Sequence, residues 1–160
     1  MIGFRLGILL LILGMAPAMM APSWVARADE PLDWTAKLMG DLRDQGQQLS
    51  THAASLKVSL SALSADVSPP LQTLQEAAVK IINRAKAWLC VPGDAAAAEF
   101  AFTMIRVDIG VARSSLTRLN VALVDRPVPA ESRTEIEAAQ KLLEVMFKSL
   151  PGENPALRAH

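Results

Sequence analysis

The chain has 160 residues, with 16 basic and 16 acidic side chains, a formal net charge of zero, and 51% apolar residues. That balance gives no electrostatic reason to expect nucleic acid, and no polybasic run points to an anionic membrane surface. A single cysteine excludes an internal disulfide framework and a cysteine-rich zinc site, and no run of β-branched residues alternates as a strand would.

The chain opens like an export signal. Arg5 is the only charge before the apolar run Leu6 to Met15, Pro17 and Pro22 follow, and Ala26-Arg27-Ala28 precedes acidic Asp29-Glu30. A positive start, a short apolar stretch and an A-x-A end predict a cleaved secretory signal over 1–28 and a mature protein in the periplasm or outside the cell. The alternative is an uncleaved anchor, since Leu6 to Ala26 is about long enough to cross a bilayer. Small residues at the cut and two prolines in its second half favour cleavage. Loss of Arg5 and Arg27 leaves 14 basic and 16 acidic side chains, a net charge of −2, on 132 residues, which suit one domain. No membrane insertion of this mature chain is expected.

Prolines and glycines divide the remainder into amphipathic segments. In the first, Leu42, Leu49, Leu56 and Leu63 recur every seven residues, with Met39, Gly46, Ala53, Leu60 and Val67 between and beyond them. This predicts a helix from about Leu32 to Asp66, roughly 50 Å long at 1.5 Å per residue. Gly46, inside Gln45-Gly46-Gln47-Gln48, costs about 1 kcal/mol relative to alanine in a helix interior, so a bend or break is expected there.

Ser68-Pro69-Pro70 closes that segment and predicts the next, with Ser68 as N-cap and proline at the first helical position. Its seam reads Leu71, Leu74, Ala78, Ile81, Ala85 and Trp88. Pro92-Gly93 stops it and Asp94 can cap the third helix. That helix has the cleanest pattern: Ala98, Phe102, Ile105, Ile109, Ala112, Leu116, Leu119 and Leu123. Pro127 and Pro129 end it. A last helix from near Ala130 uses Ile136, Ala139, Leu143, Met146 and Leu150, and Pro151-Gly152 closes it ahead of a tail over 151–160. Cys90, where the second helix should end, is expected to be a buried and unreactive thiol. Pairing with another chain is the alternative.

Four amphipathic helices with short connections predict an all-α, antiparallel up-down-up-down bundle over 29–150, with crossing angles of about 20°. The first and third helices read longer than the second and fourth. An overhang would expose Trp34, Leu38 and Leu42, whereas a break at Gly46, with the first part folded back as a short fifth helix, would bury the same residues internally. Both outcomes stand open at the level of sequence.

Chemistry-bearing residues are few. Leu49 and Leu157 stand three residues before His52 and His160, so a di-iron site built from Glu-x-x-His pairs is excluded. The lone cysteine excludes covalent haem through C-x-x-C-H. A b-type haem on His52 with Met39, Met104 or Met146 defines the rival reading, a small-ligand or haem module in the bundle core. No glycine-rich phosphate loop or nucleophile–base signature is present, and catalysis by His52 is the weakest reading. Arg106 and Arg113 lie one heptad apart on a flank of the third helix. They could grip a carboxylate or phosphate, or pair with Glu137 or Glu144 on the neighbouring helix. The expectation is therefore an exported, non-enzymatic protein without cofactor, acting through contact with a protein partner or as a homodimer. Its candidate surface is Trp34, Leu38, Leu42, Arg106 and Arg113.

Overall fold

The computed structural model describes residues 30–152 apart from 62, 64 and 93. The expected signal over 1–28, its cleavage point and residues 153–160 of the tail, with His160, lie outside the described residues. Four helices follow one another: α1 (Glu30–Leu60), α2 (Ser68–Cys90), α3 (Ala95–Ala122) and α4 (Ala130–Ser149), with a 3-10 turn over Ala65–Val67 ahead of α2. Each helix packs on its two neighbours in a ring, α1 on α2 and α4, and α3 on α2 and α4. This is the expected antiparallel bundle. No described helix is long and apolar enough to cross a membrane.

Every seam position of α2, α3 and α4 named above is buried, and so are Met39, Leu42, Leu49, Ala53, Leu56 and Leu60 along α1. Removing such faces from water, at about 25 cal/mol per Å² of apolar area, is what drives the helices together. Their propensity alone would leave them marginal.

Three expectations about α1 need correction. It runs unbroken through Gly46, which is buried. A Cβ built there would lie 2.9 Å from Ile82 Cγ1 and 3.3 Å from Ile81 Cγ2. Gly46 therefore marks a close approach of α2 to α1, and the helix tolerates it because packing repays the lost propensity. With α1 continuous, its first part does not fold back as a separate fifth helix among the described residues. α1 also stops at Leu60, six residues before the expected end. The Ser59 hydroxyl donates to the Leu56 carbonyl and the Ser61 hydroxyl to that of Val58, so the last turn is closed by side chains.

The start of α2 differs in detail. Val67 occupies the N-cap position without a side-chain bond, and Ser68 is already helical. Pro69 and Pro70 carry no N–H, so the first turn has fewer donors for a cap to satisfy. Asp94 caps α3 as expected, its side chain accepting from the Ala97 N–H at 2.9 Å, an arrangement worth about 1 kcal/mol. α3 ends at Ala122, ahead of the prolines, in a turn where Asp125 takes a left-handed φ of 62°. Aspartate is among the few residues with a side chain that adopt this region readily.

Candidate functional site

The stripe expected to protrude from the first helix does not. Leu38 is 8% exposed and Leu42 is fully buried. Trp34, still 39% exposed, packs its ring on Phe102 of α3, with centroids 6.2 Å apart and planes at 55°. Phe102 of α3 thus covers one side of Trp34, and α3, at 28 residues against the 31 of α1, is long enough to reach it. The premise of a free Trp34–Leu38–Leu42 surface is thereby corrected.

The two arginines of α3 do not converge on a shared ligand. Arg106 donates through Nη2 to the Pro151 carbonyl, and its guanidinium lies against Gly152. Gly152 has a φ of +99°, where a Cβ would be strained and would meet Arg106. This arginine thus ties the C-terminal end of α4 to α3. Arg113 sits over the Phe147 ring, its Cζ 5.2 Å from the centroid. Glu144 is nearby, but its carboxyl takes a hydrogen bond from Lys148 Nζ at 2.5 Å. That bond and the Lys148 charge hold the Glu144 carboxyl below its ordinary value of 4.5, with a smaller contribution from Arg113. Of the two arginine readings, charge pairing within the bundle accounts for part of Arg113, while Arg106 binds a backbone carbonyl that sequence patterns do not flag.

α3 and α4 meet along the lightest side of the ring. Two open grooves of about 510 and 430 Å³ run there, lined by side chains of both charges, among them Arg113, Glu137, Lys141 and Glu144. An open groove lined by charges of both signs selects no particular ligand charge.

His52 lies half-buried between α1 and α4, its Nδ1 2.5 Å from Glu135 Oε2. It faces the neighbouring helix rather than the bundle axis. Met39 and Met146 are fully buried among the core side chains, and Met104 is half-buried on α3. About two turns further along α1, Ser132 Oγ donates to Ser59 Oγ at 2.9 Å, and Ser59 Oγ in turn donates to the Leu56 carbonyl. These hydroxyls are used in joining α4 to α1. Among the described residues no group of three or more His, Cys, Asp and Glu side chains is placed to hold a metal ion.

Asp108 was not singled out by sequence. It is 5% exposed on α3, and Arg84 of α2 donates to its carboxylate through Nε at 2.6 Å. The available signal was an acid placed directly beside the seam residue Ile109. Gln75 Nε2 likewise donates to Ser50 Oγ at 2.7 Å across α1 and α2. Cys90, expected to be buried, is exposed at the end of α2. Trp88, two positions earlier, takes the last inward-facing place of that seam, which turns Cys90 away from the core.

The side of α3 turned away from the bundle is the least expected feature. Phe100 is 66% exposed and Val107 55%, and Val111 and Val121 are also exposed. Together with the half-buried Met104 they form a second apolar stripe on a helix whose first stripe is already in the core. Comparison of the chain with family models, with curated proteins and with solved structures gives no match.

Proposed function

We propose that this chain is an exported, non-enzymatic helical-bundle protein that acts by protein–protein contact, as an accessory subunit or adaptor in the cell envelope. The observation that carries the reading is the outward stripe of α3. A monomer of this size gains nothing from presenting Phe100, Val107 and Val111 to water, and a contiguous apolar strip on a helix face is the usual form of a surface meant for another helix. The groups that catalysis or cofactor binding would draw on have structural employment: His52 with Glu135, Asp108 with Arg84, and Ser59 with Ser132. Export is supported by the pattern of 1–28 in the sequence.

Two measurements test the reading. Intact mass of the protein recovered from the producing cell should correspond to a start at Asp29. Retention of 1–28 in a membrane fraction would contradict cleavage. Affinity purification of chemically cross-linked complexes should recover protein adducts with the parent chain and lose them with Val107→Asp, a change at an exposed position that leaves the core intact. Equal recovery with both chains would contradict contact through α3.

A further inference from the structure

The outward stripe of α3 has the spacing of a coiled-coil seam. Phe100, Met104, Val107, Val111, Ser114 and Arg118 follow one another at alternating steps of four and three, and Val121 continues the series. The positions lie opposite Ile105, Ile109, Ala112 and Leu116, which face the core. No charged side chain interrupts the stripe between Phe100 and Ser114. Glu99 flanks one end and Arg118 occupies the other, both exposed.

Resting on the protein-contact reading above, we infer that this face is a two-fold interface in which two copies of the chain lay their α3 helices side by side and antiparallel, centred near Ile109–Gly110. The charges select the orientation. An antiparallel second copy brings its Arg118 beside Phe100 and Glu99 of the first, and the symmetry repeats this at the other end. Each guanidinium then meets an aromatic face and a carboxylate. A parallel pair would set Arg118 against Arg118 and Glu99 against Glu99. A surface with an acid at one end and a base at the other is self-complementary under a two-fold axis, as an isologous interface requires.

The apolar residues select the same register. With Val107 against Val111 of the second copy, Met104 meets Ser114 and Ala97 meets Val121. Every large apolar side chain that α3 exposes, namely Phe100, Val107, Val111 and Val121, is covered together. Gly110 falls beside the axis. A Cβ there would meet nothing of its own chain within 4 Å, so the fold itself does not call for a glycine, while two helices crossing at that point come closer for having one. The strip from Ala97 to Val121 is about 36 Å long at 1.5 Å per residue. One helix face on each side is at the small end of specific interfaces, the size class of weak and reversible association.

The test is sedimentation equilibrium of the chain, purified in the form the cell accumulates, from about 1 µM to 1 mM, the range in which weak dimers form and dissociate. A monomer–dimer equilibrium is expected. Val107→Asp and Val111→Asp should each raise the dissociation constant by about tenfold or more, with circular dichroism melts unchanged because both positions are exposed. Glu99→Arg alone and Arg118→Glu alone should each weaken the dimer, and the double reversal should restore it to within about threefold of the parent. A chain that stays monomeric throughout, a dimer indifferent to Val107→Asp, or a double reversal weaker than either single change would overturn the inference. If the chain is monomeric but cross-linked adducts with a different protein disappear with Val107→Asp, self-pairing falls and the protein-contact reading stands. If neither dimer nor adduct is found, both fall.

Discussion

Replacing Gly46 by alanine separates the observed bundle from one in which the first helix breaks. In an open helix interior the change should stabilise by about 1 kcal/mol, through backbone entropy and helix propensity. Here the added Cβ meets Ile82 Cγ1 at 2.9 Å and Ile81 Cγ2 at 3.3 Å. Neither atom can retreat freely, because isoleucine in a helix has one strongly preferred χ1, and leaving it costs about 0.5–1.5 kcal/mol. Overpacking of this kind costs about 1–3 kcal/mol, which exceeds the gain, so Gly46→Ala should destabilise by about 1 kcal/mol net. Gly40, on the same helix, is the internal control: a Cβ there meets nothing within 4 Å, and Gly40→Ala should stabilise by about 0.5–1 kcal/mol. Urea unfolding of the two variants and the parent, compared by midpoint at constant slope, should place them on opposite sides of the parent. Gly46→Ala as stabilising as Gly40→Ala would refute the close approach of α1 and α2.

Leu56, Ile105 and Leu116 are almost completely buried, and replacing any one by alanine should lower the unfolding free energy by about 2–5 kcal/mol; losses within about 0.5 kcal/mol, as at a surface site, would mean the seams face the wrong way. Arg84→Met leaves the Asp108 carboxylate buried without its cation and should cost about 2–4 kcal/mol, whereas Arg84→Met with Asp108→Leu should recover most of it; a double variant no better than the single would show that the pair itself stabilises the fold. The Glu144 carboxyl, held below its ordinary value by Lys148, binds its proton more weakly folded than unfolded. Its contribution is therefore complete above about pH 4.5 and lost as pH falls through the lowered value. Stability measured from pH 6 down to pH 3 should fall less steeply for Glu144→Gln than for the parent, and identical profiles would contradict the pairing.

The burial pattern was legible because a heptad records which side of a helix faces its neighbours, and each seam from Leu71 to Leu150 follows it. Asp94 was equally legible, since a cap is a local device. What the sequence did not disclose depends on the neighbouring helix. Gly46 has one meaning in an isolated helix and another where Ile81 and Ile82 press against it. Arg106 looked like half of an anion clamp, because a backbone carbonyl such as that of Pro151 leaves no mark in a pattern of side chains. The expected overhang failed for a related reason: both long helices were legible, but the contact that sets Phe102 of α3 against Trp34 of α1 depends on how they are placed in the bundle. The outer stripe of α3 was hidden by the inner one, whose unbroken seam from Ala98 to Leu123 already accounted for the helix and left Phe100 and Val107 as scattered apolar residues. Its exposure at Phe100 and Val107 became visible only once Ile105 and Ile109 were placed in the core.

Site-specific photo-cross-linking in the producing cell tests most directly whether this bundle works through the outer face of α3. A benzophenone side chain placed at Val107 should give a discrete protein adduct on irradiation, at twice the chain's mass if the face pairs with a second copy, while the same group at Glu131 on α4 should give none. A Val107 probe that yields no adduct, or no more than the Glu131 probe, would contradict the account.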